Sequence, residues 1–250
     1  VLLLALLSWR LHLGVEKRVL VAAMRSAIQL SLIGLVLNFL FAQTSFALTG
    51  LWALVMLGVA GWEVVARQKH RYRGAWGFGI GTLSMFVSSF SVIILALILI
   101  IGVEPWYQPQ YLIPLLGMLL GNTMSGIAIT LDNLSRQAWE GRGRIEARLL
   151  MGQSWECAIS DIRRDSLRAG LIPIINSMAA AGLVSLPGMM TGQILAGSPP
   201  MEAAKYQMMI LFLISAGTGL GSAAAVWIGS RRLFDNRQRL RLDRLTGPER

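Results

Sequence analysis

Between residues 74 and 133 the chain carries only two charges, Glu104 and Asp132, and between 170 and 230 only Glu202 and Lys205. Stretches that long and that neutral are read as membrane spans, because lipid tolerates few ionised side chains. The 250 residues are 54% apolar and 14% charged, against about a quarter charged in an ordinary soluble domain. Apolar blocks run over 1–14, 19–41, 48–66, 76–102, 111–131, 170–197 and 204–229. At about 1.5 Å per residue most of them are long enough for about 30 Å of hydrocarbon. The fold class is therefore all-α: a polytopic membrane bundle of seven transmembrane helices, forming one domain over 1–250.

The connections alternate in character. Glu16 to Arg18, the run Arg67-Gln68-Lys69-His70-Arg71-Tyr72-Arg73, residues 134–169 and the tail 230–250 are basic, whereas 42–47, 103–110 and 198–203 are nearly free of Arg and Lys. Basic loops are retained on the cytoplasmic side, which puts the N-terminus outside and the C-terminus inside. The net charge of +10 thus reports topology and not nucleic-acid binding. The chain opens on Val1 in an apolar run, read as a first span continued upstream; no small-residue cleavage site follows it. A single cysteine, Cys157, excludes an internal disulfide. The outer loop Glu104 to Pro109 holds two prolines and two aromatics, which suit an interfacial turn. The tail reads as a short polar helix or a disordered segment near anionic lipid. GxxxG patterns start at Gly77, Gly117, Gly188 and Gly217 and mark close helix packing, with a dimer as one outcome.

Residues 134–169 hold 12 of the 36 charged side chains and cannot lie in lipid. Within them Arg144 to Met151 favours a helix with Ile145, Leu149 and Leu150 on one face. Gly152 ends it, and Ser154 is placed to cap a second helix through Trp155, Ile159 and Ile162, with Glu156 in its first turn. A helix, a glycine bend and a second helix present a compact knob to a partner; the plainer alternative is a solvated linker, for which the segment is long.

The knob resembles the Glu-Ala-containing cytoplasmic loop of ABC transporter permeases, through Glu146-Ala147 and Gly152, with Arg148 where a second Ala is usual. Arg25-Ser26-Ala27-Ile28-Gln29-Leu30, Pro114 to Asn122, Arg164 to Arg168, Lys205-Tyr206-Gln207 and Gly182 to Gly192 widen the likeness over essentially the whole chain. In these segments, above all Leu186-Pro187-Gly188-Met189-Met190, the sequence resembles the Fet-type permeases, bacterial proteins associated with iron export and plant relatives linked to aluminium tolerance. The resemblance implies a multi-pass permease of the bacterial inner membrane whose Glu146, Ala147, Met151, Gly152, Gln153, Ser154 and Trp155 couple it to a separate ABC ATPase. It also implies two permease copies working with two ATPases. No Gly-x-x-x-x-Gly-Lys-Ser/Thr loop occurs in the sequence, so the chain is not expected to be an enzyme or to carry a cofactor, and the resemblance implies that ATP and Mg are bound by the partner subunit.

Met118, Asn122 and Met124 on the 111–131 block, and Ser185, Pro187, Met189, Met190 and Gln193 on the 170–197 block, are the candidate substrate path. Pro187-Gly188 predicts a kink, which either exposes carbonyls to a pathway or only fits neighbouring helices. The methionines suit copper(I) better than hard cations and also serve as gap fillers, so no metal set is assigned, and a metal-linked or small organic substrate fits the amides and hydroxyls of these blocks as well as iron does. His12 and His70 sit near cytoplasmic boundaries and Cys157 lies in the 134–169 segment, so none is expected as a transport ligand within the membrane. Arg25, Glu63 and Asp132 sit near span ends and are free to pair, anchor or snorkel. The competing reading is a secondary transporter or channel driven by an ion gradient, but it calls for a mid-span acid or paired broken helices, and neither is evident.

Overall fold

The computed structural model describes Arg10, Gly14 and residues 16–246; the expected first span, 1–14, lies essentially outside the described residues. It is helical, without strands among those residues, and divides into two compact units, residues 1–49 and 50–250. The first unit holds α1, Glu16–Ala42, whose charges fall within its first three turns and whose remainder is uncharged. Helix α2, Phe46–Ala66, follows and belongs mainly to the second unit.

In the second unit α3, Trp76–Ile101, is a continuous span with π-helical turns at Phe86–Phe90 and Ala96–Ile101, ended by left-handed Gly102. Next come α4, Pro109–Glu140; α5, Arg142–Leu150; α6, Trp155–Ala158; α7, Ser160–Ala180; α8, Gly188–Leu195; and α9, Pro200–Arg232. The two longest helices start on proline, whose missing N–H has no helical partner at that position and whose φ suits helix entry. Helices α1, α2, α3, α4 and α9 are long and apolar enough to cross a membrane.

Helices α4, α7 and α9 pack on one another, α3 lies against α4 and α9, and α8 lies on α9. Lipid supplies no hydrophobic drive between spans, so contact depends on close approach of small residues. A methyl placed on Gly170 would stand 2.7 Å from the Gly126 carbonyl oxygen, and one on Gly221 would stand 2.8 Å from Ser88 Oγ and from the Thr123 methyl. Gly81 meets Val64 of α2 in the same way at 2.9 Å. Along α4, Leu116, Leu119, Ile127, Leu131 and Leu134 form a fully buried stripe at helical spacing. At 32 residues α4 is about 48 Å long, so it outruns the hydrocarbon and carries this stripe out of the membrane as a stalk.

The 170–197 block is not one kinked span. Helix α7 stops at Ala180, residues 181–187 make a tight turn with the Gly182 N–H bonded to the Ser185 carbonyl at 2.9 Å, and α8 begins at Gly188. Pro187 cannot continue the hydrogen-bond ladder, and Gly182 takes a left-handed φ of +81°, so the chain breaks instead of bending. The tail also departs from expectation. Leu233, Phe234 and Leu245 are buried, Tyr72 and Leu245 form an antiparallel bridge, and the Arg73 and Thr246 amides bond to the Arg244 and Arg71 carbonyls at 2.8 Å. Apolar anchors at its two ends, Leu233 with Phe234 and then Leu245, make the segment a folded strap, which local composition does not reveal.

Candidate docking knob and polar seam

The basic loop 67–73, the segment 141–159 and the tail converge on one end of the second unit. Lys69 donates its backbone N–H to Asp132 Oδ1 at 2.7 Å, the His70 ring stacks on Trp139 at 5.4 Å, and Trp155 packs on Phe234 at 5.5 Å. Asp132 therefore anchors this loop. Glu63 sits 3.8 Å from Arg67, whose guanidinium donates to Ser125 Oγ at 3.1 Å.

The knob stands on the stalk. Gly141 closes α4 by donating to the Gln137 carbonyl at 2.8 Å, and α5 leaves from it with Ile145 fully buried. At the far end of α5 the Gly152 N–H bonds to the Leu149 carbonyl and the Gln153 N–H to the Arg148 carbonyl, a Schellman closure. That closure requires a left-handed residue, and Gly152 supplies it with φ +84°. Ala158, Ile159 and Ile162 then bury on the stalk side.

Arg148 locks the two arms. Its Nη1–H donates to the Ala158 carbonyl at 3.1 Å and its Nη2 lies 2.6 Å from Asp161 Oδ2. The guanidinium hydrogen bond, then its charge, hold the Asp161 carboxyl below its ordinary pKa. Ser154 precedes α6 as expected but makes no side-chain cap; the Trp155 N–H bonds instead to Gln238 Oε1 of the tail at 3.0 Å. Glu146 pairs with Arg142 one turn back at 2.8 Å, and Ala147 is exposed. Of the expected apolar face, Ile145 is buried and Leu149 half-buried, but Leu150 and Met151 are 88% and 72% exposed. Met151, Gly152, Gln153 and Ser154 thus form an exposed tip with an apolar crown, and Trp155 is half-buried behind it.

Arg148, Asp161, Phe234 and Gln238 are the knob residues that sequence reasoning missed. The one available signal was an arginine at the loop's usual alanine position, with an acid past the bend to receive it.

The candidate path residues fall into two groups joined by no hydrogen bond among the described residues. Met118 and Met124 are half-buried on α4, and Asn122 is exposed, its amide turned back to the Met118 carbonyl at 2.8 Å. Ser185 is exposed and Pro187 half-buried in the break, while Met189, Met190 and Gln193 are half-buried on α8. Leu183 and Val184 at the break are 90% and 85% exposed. Among the described residues no three of His, Cys, Asp and Glu converge as a metal site.

A different polar feature runs through the core. Ser84, Ser89, Thr123, Thr218 and Ser222 are buried with hydroxyls that lack a hydrogen-bond partner. They sit where α3, α4 and α9 meet, beside the π-helical turn that buries the adjacent Ser88 and Ser89 together. Unpaired hydroxyls cost about 1–3 kcal/mol each, so this seam is a costly element of the packing.

Spans, a projecting stalk with its knob and a polar seam together define a multi-span helical membrane protein. The chain belongs to the Uncharacterised protein family (UPF0014), whose profile matches residues 1–234. It is 38% identical over 242 residues to the UPF0014 membrane protein slr1647 of Synechocystis, covering 95% of this chain and 90% of that protein. It is 32% identical to the Escherichia coli protein named "Probable iron export permease protein FetB", covering 94% and 88% of the two chains. The Arabidopsis thaliana "Protein ALUMINUM SENSITIVE 3" matches at 31%, covering 91% and 81%. No solved structure matches the chain.

Proposed function

We propose that this chain is the permease subunit of an ABC transporter in the bacterial inner membrane, with the knob facing the cytoplasm and seated on a separate ATPase that binds ATP and Mg. The observation that carries the reading is the knob tip. Leu150 and Met151 are apolar side chains exposed beyond the spans, on an arm locked by Arg148 and Asp161 and continuous with α4 and α7. Large apolar side chains exposed away from lipid mark a contact surface. A rigid arm passes displacement at its tip to the helices it continues. The gathering of the basic loop, the knob and the tail at one end supports a cytoplasmic orientation for that end.

The cargo is iron moved outward, a reading taken from the name of the Escherichia coli relative. The path is assigned to the α7–α8 break, where residues 181–187 leave backbone groups outside any helix, and to the polar face of α4 around Asn122. Irregular backbone at membrane depth is tolerated where it lines a cavity or is buried in protein. Two permeases and two ATPases form the working unit.

Cys157 supplies the test. It is exposed within the knob and is the chain's one cysteine. A cysteine-directed crosslinker applied to membranes holding the permease and its cognate ATPase is expected to join Cys157 to the ATPase. Adducts that never contain the ATPase would overturn the proposal.

A further inference from the structure

At the charged end of α3 and α9 the folded tail encloses a groove of about 860 Å³. Its basic residues are Arg231, Arg232, Arg237, Arg239 and Arg244, against two carboxylates, Glu156 and Asp235. The arginines are held in different ways. The Arg232 guanidinium lies 4.2 Å from the Trp76 ring centroid and that of Arg231 lies 5.7 Å from Trp227. Arg244 is fixed from behind, donating to the carbonyls of Arg232 at 2.8 Å and Phe234 at 3.2 Å. Arg239 is paired with Asp235. Arg231, Arg232 and Arg237 form no ion pair among the described residues, so the groove presents uncompensated guanidinium groups.

We propose that this groove binds the phosphate of an anionic phospholipid headgroup. Trp76 is the first residue of the α3 span, Trp227 lies in the last two turns of α9, and each is about half exposed at 50% and 51%. Tryptophans in that position mark the level where hydrocarbon gives way to headgroups. The arginines therefore sit at phosphate depth, with planar forks suited to paired phosphate oxygens. A soluble anion would account for the charge but not for two half-exposed indoles flanking it at a span boundary. The excess of arginine over carboxylate selects a headgroup with net negative charge over a zwitterionic one. Trp155 also lines the groove, and its N–H is held by Gln238 of the tail, so an occupied groove braces the base of the knob.

The test uses the full chain in nanodiscs of mixed phosphatidylcholine and phosphatidylglycerol, with lipids retained after mild detergent release counted by native mass spectrometry. Wild type is expected to retain phosphatidylglycerol selectively, Arg231→Gln/Arg232→Gln to lose that selectivity at least tenfold, and exposed Arg237→Gln to lose part of it. Arg164→Gln/Arg168→Gln removes as much charge from outside the groove and is expected to match wild type. Equal retention by wild type and Arg237→Gln, or equal loss in the outside-groove control, overturns the proposal. So does displacement of the lipid by millimolar inorganic phosphate, which would identify a soluble-anion site. Loss of ATPase association with unchanged lipid retention would make the groove a protein contact and overturn it as well.

Discussion

The crossing of α4 and α7 joins the knob to the bundle, and Gly170→Ala tests how tightly it is set. A Cβ at Gly170 would meet the Thr130 hydroxyl and stand 2.7 Å from the Gly126 carbonyl oxygen. The threonine can turn away, but the carbonyl is backbone, so the helices must part by roughly half an ångström, a gap that already forfeits about a quarter of the attraction lining it. Overpacking of this kind costs about 1–3 kcal/mol, and alanine's better helix propensity returns about 0.5–1 kcal/mol, leaving a net loss of about 1–2 kcal/mol. At about 2–4 °C per kcal/mol the midpoint should fall by roughly 2–8 °C. Tryptophan fluorescence on heating the purified protein in one fixed detergent measures it. Gly219→Ala on α9 is the control, since nothing lies within 4 Å of its Cβ, and it should match or exceed wild type. A Gly170→Ala midpoint at or above that of Gly219→Ala would refute the close crossing.

Arg148→Met should unlock the knob and raise hydrogen exchange at residues 151–158 by mass spectrometry, while 110–130 stay unchanged. Because Arg148 depresses the Asp161 pKa, the lock is complete above the ordinary carboxylate value and is lost as pH falls through the lower folded value. Exchange at the tip should therefore rise only in acid below about pH 4, and in Arg148→Met this acid-dependent rise should be absent. Leu245→Ala removes a side chain that is 1% exposed and should release the strap at a local cost of about 2–5 kcal/mol, read as new protease cleavage within 235–246. Gln238→Ala deletes the acceptor of the Trp155 N–H, worth about 1 kcal/mol, and should raise exchange of that amide without moving the global midpoint.

Much of the architecture was legible in apolar runs, because a span must be long and neutral whatever its neighbours do. The blocks 19–41, 48–66, 76–102 and 204–229 correspond to α1, α2, α3 and α9 within a few residues. Helix α4 extends past its block to Glu140 because Leu134 and Ala138 continue the buried stripe among charged neighbours, which a hydropathy average dilutes. The 170–197 block misled for the opposite reason. Leu183, Val184 and Leu186 are as apolar in a turn as in a helix, so hydropathy does not register the break at Ala181 to Pro187. In the knob, the Gly152 bend followed from local chemistry. The Arg148–Asp161 lock, the Gln238 contact and the strap join residues 13, 83 and 175 positions apart, and periodicity carries no information about such pairs.

Docking of the knob on an ATPase is tested most directly by Leu150→Asp/Met151→Asp. Both side chains point into solvent, so the change leaves the fold intact while placing charge on the apolar crown. Binding of the cognate ATPase to the reconstituted permease, titrated by its nucleotide-dependent association with proteoliposomes, should weaken by roughly 10–100-fold, as expected when central apolar contacts are lost. Association at wild-type affinity, with hydrolysis still stimulated by the double variant, would contradict the account.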